Sequence, residues 1–142
     1  MKTFRIADKD IDHKVWLINA EGKTLGRLAT KVAGLLLGKG KPYFAHDQIC
    51  GDYVVVINAA KVKVTGRKPE QKTYTHYSGF PGGLKEYTYE DLMAKKPTEV
   101  VTRAVSRMLP KHSIGEEMRR RLRVFEGAEH NQQAQKPVAI EV

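Results

Sequence analysis

Hydrophobic positions along the chain change period several times, and each change marks a predicted element. Val15-Trp16-Leu17-Ile18-Asn19 is a short apolar, β-rich run, read as a buried strand. Glu21-Gly22-Lys23 follows as a turn, and Thr24 is placed to cap a helix. Leu25, Leu28, Ala29, Val32, Leu35 and Leu36 then recur on one helical face, and Gly38, Gly40 and Pro42 end the pattern. After Gly51-Asp52 the run Tyr53-Val54-Val55-Val56-Ile57-Asn58 is continuously apolar, as expected of a strand covered on both faces. Strand, helix and strand in this order predict a βαβ unit, and hence an α/β fold with a parallel sheet flanked by helices.

Beyond that unit the pattern weakens. Lys61-Val62-Lys63-Val64-Thr65 alternates basic and apolar residues and reads as a half-exposed or edge strand. Residues 66–87 are rich in Gly, Lys and Tyr without sustained periodicity, and read as a long functional loop. Thr88 and Asp91 resemble a capping box before a short helix. Pro97 opens another helix, with Val100, Val101, Ala104, Val105 and Met108 as its inner face. Ser113 and Glu116 suggest a second capping box ahead of Met118 to Arg121. Leu122-Arg123-Val124-Phe125 suggests a last strand, residues near 128–135 a short terminal helix, and the segment after Pro137 a loose end. The 142 residues predict a single domain with an aperiodic arm over 1–14 and a C-terminal tail over 136–142.

Charge adds a partner to this scaffold. The chain carries 25 Lys plus Arg against 16 Asp plus Glu, a net +9. Residues 61–123 account for +8 of it, whereas 124–142 are net negative. An excess held within the folded middle, rather than on a tail, calls for a polyanion. Arg27 and Lys31 are four apart on the face opposite the leucines, as are Arg103 and Arg107 on the later helix. Such like-charge pairs are unfavourable unless phosphates sit nearby. Arg119-Arg120-Arg121 and Arg123 place four arginines in five positions. From Lys72 to Lys85 the chain mixes rings, hydroxyls and glycines: rings stack on unpaired bases, glycines permit close approach, and lysines neutralise phosphates. Of these rings some are expected to anchor the loop to the core, Tyr74 or Phe80 first among them. The RNA-contact set is Lys23, Arg27, Lys31, Lys39, Lys41, Lys63, Arg67, Lys68, Lys72, His76, Tyr77, Gly79, Gly82, Gly83, Lys85, Arg103, Arg107, Lys111, Arg119, Arg120, Arg121 and Arg123.

Catalytic readings have less support. Gly22-Lys23-Thr24 between a strand and a helix is like the end of a nucleotide-phosphate loop, but Leu17 stands where that loop needs another glycine. A small nucleotide-phosphate-binding enzyme using the Lys23 turn is therefore the alternative reading, and a basic protein bridging other proteins a third. His46 with Cys50 is only a two-ligand fragment, so neither a metal nor a cofactor is expected. Cys50 is the single cysteine, which suits a reducing cytoplasm. No apolar run approaches the length of a membrane span.

Finally, Val105-Ser106-Arg107-Met108-Leu109-Pro110, then Gly115-Glu116, then Leu122-Arg123-Val124-Phe125-Glu126-Gly127 resembles a family signature, that of the large-subunit ribosomal protein family L thirteen in its bacterial form. Gly22 to Thr30, Gly51-Asp52-Tyr53, His76 to Gly83 and Glu129 to Gln135 resemble the same family, so the likeness runs along nearly the whole chain. Tyr77 stands where many relatives are expected to carry a second histidine. The resemblance implies a three-layer α/β/α fold with a mainly parallel, roughly four-stranded sheet. It also implies binding of large-subunit (23S) ribosomal RNA early in assembly, contacts with neighbouring large-subunit proteins, and no catalytic role in translation; neither a membrane nor a small-molecule substrate is expected as a partner.

Overall fold

A computed structural model describes residues 5–142. Its centre is a four-stranded sheet of β1 (Val15–Asn19), β2 (Tyr53–Ile57), β5 (Leu122–Val124) and β6 (Val138–Ile140), in the order β5-β2-β1-β6. Every neighbouring pair in it is parallel. In register, Trp16 lies beside Val54 and Ile18 beside Val56. Val54, Val55 and Val56 are all buried although successive side chains point to opposite faces, so β2 is covered on both sides. The helices are α1 (Leu25–Leu37), α2 (Lys68–Gln71), α3 (Tyr89–Lys95), α4 (Pro97–Ser106) and α5 (Ser113–Arg120). The result is an α/β architecture consistent with three layers, its mainly parallel sheet lying between helical and looped cover.

The apolar stripe of α1 behaves as its spacing predicts: Leu25, Leu28, Ala29, Val32 and Leu36 are buried and pack with Val100, Val101 and Val105 of α4 over Ile18, Val54 and Val56. Gly38 ends α1 in the left-handed conformation, φ +78°, and donates to the Gly34 and Leu35 carbonyls. A Cβ there would also come within 2.9 Å of Cys50 backbone atoms, so both conformation and space require glycine.

Several expectations are corrected. Lys61–Thr65 is no strand; a short 3-10 turn at Ala59–Lys61 leads to one parallel bridge, Thr24 with Lys63. Val62 is still buried between exposed lysines, so alternation survives without a ladder. Residues 66–87 are not an irregular loop: they hold α2 and most of an antiparallel hairpin, β3 (Thr73–Tyr77) with β4 (Leu84–Thr88). Thr88 caps α3 as anticipated, accepting from the Asp91 amide at 3.2 Å. Ser113 does not cap α5; it is the helix's first residue, and Glu116 turns to Arg119 instead, at 2.7 Å. The terminal helix shrinks to a 3-10 turn at Gln133–Gln135. The end after Pro137 is not loose, because β6 completes one edge of the sheet against β1. Met108 falls beyond α4 and is 43% exposed rather than facing inward.

Of the arm, residues 1–4 lie outside the described residues. The remainder is tied down: Gln48 donates to the Ile6 carbonyl at 3.0 Å and to Asp8 at 2.8 Å, and the Lys14 amide donates to Asp52 at 3.0 Å.

Candidate nucleic-acid interface

Two adjoining depressions open beside the start of α1. The larger, about 1460 Å³, runs along the polar face of α1 and is lined by Lys14, Arg27, Lys31, Lys39, Lys41 and Lys68. Asp12, Asp52 and Glu141 line it as well, so its positive field is partly cancelled. The smaller recess, about 560 Å³, takes Lys63, Lys68, Lys72, Arg103 and Arg107 from the bridge segment, α2, the strand entry and α4. Among the described residues, no carboxylate lines it. Gly26, Thr65, Lys68 and Met108 line both, which makes them one continuous surface.

Crowding in the recess leaves a physical trace. Burial, reinforced by the charges of Arg107 and Lys68, pulls the Lys72 ammonium below the ordinary lysine value. Its Nζ sits 5.3 Å from the centre of the Tyr74 ring, and the Arg103 guanidinium 5.7 Å from the same ring. Arg103 is half-buried and bridged to Glu99 at 2.6 Å, which offsets its pairing in sequence with Arg107. Arg107 is exposed and makes no ion pair among the described residues.

The other basic residues divide by what they touch. Lys41 has its ammonium 2.5 Å from Asp52, with both side chains largely buried. Asp52 also accepts from Trp16 Nε1 at 2.8 Å. Burial works against its ionised form, yet the donors from Lys41, Trp16 and Lys14 outweigh it and hold the carboxyl below its ordinary value. Arg121 turns inward, donating to the Gly51 carbonyl at 2.8 Å and stacking over Tyr53 at 4.9 Å. Beside it, burial and then the Arg121 charge lower His13 below its usual value, against the bond from its ring to Gly51. Arg119 is paired with Glu116, while Arg120 and Arg123 are exposed without ion pairs among the described residues. This arginine cluster contributes only Arg121 to a third depression, with His13 and Glu117, and none of it lines the two basic ones. Lys23, Arg67 and Lys111 are exposed and also lie outside both.

The hairpin carries the aromatic part. Tyr74 is 1% exposed and anchors its base, as anticipated. Phe80 is the opposite: at 73% exposure on the tip, it anchors nothing. Tyr77 and Leu84 are paired across the strands and both exposed, and His76 lies opposite Lys85 on the other face. Gly79 and Gly82 take positive φ in the tip, +90° and +71°, and Gly83 closes it by accepting from the Ser78 amide and donating to the Phe80 carbonyl. These glycines therefore shape the turn that displays Phe80.

At the Lys23 turn, the amides of Gly22, Lys23 and Leu25 already donate to the carbonyls of Lys61, Ala20 and Lys63. A nucleotide-phosphate loop needs those amides pointing at its ligand. Among the described residues, no three His, Cys, Asp or Glu side chains converge as metal ligands, and no helix is long and apolar enough to cross a membrane.

Comparison with known proteins decides the family. The model described as "Ribosomal protein L13" matches residues 13–131. The chain belongs to the ribosomal protein L13 family. It is 52% identical, over its whole length and 99% of the relative, to the "Large ribosomal subunit protein uL13" of Aquifex aeolicus. It is 50% identical to the protein of the same description from Thermus thermophilus, with both chains fully covered. A third relative so described, from Clostridioides difficile, is 51% identical over 140 residues, 99% of this chain and 98% of the relative.

Lys14, Thr24 and Met108 are among the lining residues of this L13-family chain that escape the sequence reading. Lys14 sits in an arm without periodicity, Thr24 reads only as a cap, and Met108 only as core. No local signal separates a threonine that caps from one that lines a recess; for Met108, the following Leu109-Pro110 already hints that the helix ends before it.

Proposed function

We propose that this chain is a structural constituent of the large ribosomal subunit, and not an enzyme. It binds large-subunit (23S) ribosomal RNA through the carboxylate-free recess and the adjoining groove, joins the subunit early in assembly, and resides with it in the cytoplasm beside other large-subunit proteins. The observation that carries the reading is the convergence of Lys63, Lys68, Lys72, Arg103 and Arg107 on one recess without a lining acid. Cations held that close repel one another in the free protein, and RNA phosphates replace the counterions that would otherwise gather there. The relatives named as large-subunit proteins, at about half identity over full length, support the same partner. Recognition is of backbone shape, with Tyr77 and Phe80 on the hairpin available to stack on unpaired bases.

The test is filter binding to purified 23S RNA across a salt series, with Lys72→Met and Arg107→Met. Each substitution lowers the magnitude of the salt slope by about 0.7–0.9. Unchanged slopes in both variants would refute the proposed contact surface. Titration with ATP and GTP separates the enzyme reading: saturable binding abolished by Lys23→Ala would favour it.

A further inference from the structure

The recess holds two hydroxyls that no described residue accepts from. Tyr74 Oη and Thr24 Oγ1 are both closed off from solvent and have no hydrogen-bond partner among the described residues. Thr24 occupies the N-cap of α1, yet its side chain makes no capping bond. A buried hydroxyl without a partner is destabilising, and such orphans concentrate where a ligand completes them. Their surroundings specify the ligand's charge. Lys72 and Arg103 lie over the Tyr74 ring, and Arg107 is close enough to act on its phenol. Burial pushes that phenol up, followed by the effect of Tyr89, so it stays protonated and can donate.

The start of α1 adds main-chain donors. The first-turn amides of Gly26 and Arg27 have no backbone acceptor, whereas Leu28 already donates to Thr24. A Cβ placed on Gly26 would meet nothing within 4 Å, so the helix surface at this residue is open, and Gly26 itself lines the recess. A thirteen-residue helix also directs its positive end here.

We infer that the recess between Tyr74, Thr24 and the start of α1 is a built seat for one phosphate group, supplied by the RNA backbone. Lys72 and Arg107 receive it, and a small shift of the side chains over the ring opens the Tyr74 hydroxyl, closed off in the free chain, to donate to one of its oxygens. This rests on the RNA-binding reading and assigns one fixed anchor within that surface.

Tyr74→Phe in the full chain is the test, because it deletes a donor and no charge. The variant is expected to bind 23S RNA roughly ten- to a hundredfold more weakly. Its salt slope should be unchanged, since no cation is lost. Its thermal midpoint without RNA should be equal to or above that of the unaltered chain, because an orphan has been removed. Thr24→Val should behave in the same way. Unaltered RNA affinity in both variants overturns the seat while leaving the wider reading intact. A lowered midpoint for Tyr74→Phe also overturns it, since the hydroxyl would then have a partner within the protein. If the unaltered chain fails to bind 23S RNA at all, the parent reading falls and takes this one with it. Orthophosphate distinguishes the source: competition with RNA beyond that of chloride at matched ionic strength, lost in Tyr74→Phe, supports the assignment. Saturable orthophosphate binding that 23S RNA does not displace overturns the RNA backbone as the supplier.

Discussion

Replacing Asp52 by asparagine is a probe of how the basic surface is held. The carboxylate receives Lys41 Nζ at 2.5 Å and the Lys14 amide at 3.0 Å on Oδ1, and Trp16 Nε1 at 2.8 Å on Oδ2. All three partners are donors. An asparagine has one acceptor oxygen and one amino group, so whichever way it turns, its amino group faces either the indole N–H or the ammonium. One charge-assisted bond worth about 1.5–3 kcal/mol is lost, and one buried donor is left unmet at about 1–3 kcal/mol. Lys41, only 16% exposed in its side chain, also loses its counterion. Together these predict destabilisation of about 3 kcal/mol, a fall in urea midpoint of roughly 1.5 M at an m-value of about 2 kcal/mol per M. In a double-mutant cycle with Lys41→Met, the two residues should couple by about 1.5 kcal/mol or more. A loss below about 1 kcal/mol, with no coupling, would refute the view that Asp52 fixes Lys41 and the arm in place. Lys41→Met should also leave the RNA salt slope nearly unchanged, since its charge is already answered within the protein.

Further predictions follow from neighbouring contacts. Gly51→Ala would drive a Cβ to within 1.6 Å of the Leu36 carbonyl oxygen, and should cost about 3 kcal/mol or more by chemical denaturation. His13 titrates below its ordinary 6.5 in the fold, so the unfolded chain binds the proton more readily. Stability should therefore be complete above 6.5 and decline as pH falls towards the depressed value; His13→Gln should remove that part of the decline in urea midpoints measured across the window. Arg121→Ala should cost about 1–2 kcal/mol through its bond to Gly51 and its stacking on Tyr53, whereas Arg120→Ala should stay within about 0.5 kcal/mol, both read by thermal denaturation. Phe80→Ala should leave the thermal midpoint in place yet weaken RNA binding by about 1–3 kcal/mol where the ring stacks on a base. Equal affinities would make the tip a bystander.

What the amino-acid order determined alone is whatever rests on short-range periodicity. The stripe from Leu25 to Leu36, the valine run at 54–56 and the Thr88 cap were legible because each depends on residues within a turn or two. The excess of positive charge in the middle of the chain was equally plain, as was the likeness to the ribosomal family. Only the tertiary structure decided where those charges act. Lys63 and Lys72 are far in sequence from Arg103 and Arg107, and chain folding brings them to one recess while sending Arg119–Arg121 elsewhere. It also decided which cations are already answered: Lys41 by Asp52, Arg103 by Glu99, Arg121 by a carbonyl. Val138–Ile140 shows the same limit for the fold. Three residues are too few for a pattern, and they become a strand only because β1 offers an open edge. Local sequence sets what a segment can do; partners that meet only after long loops close select which possibility is realised.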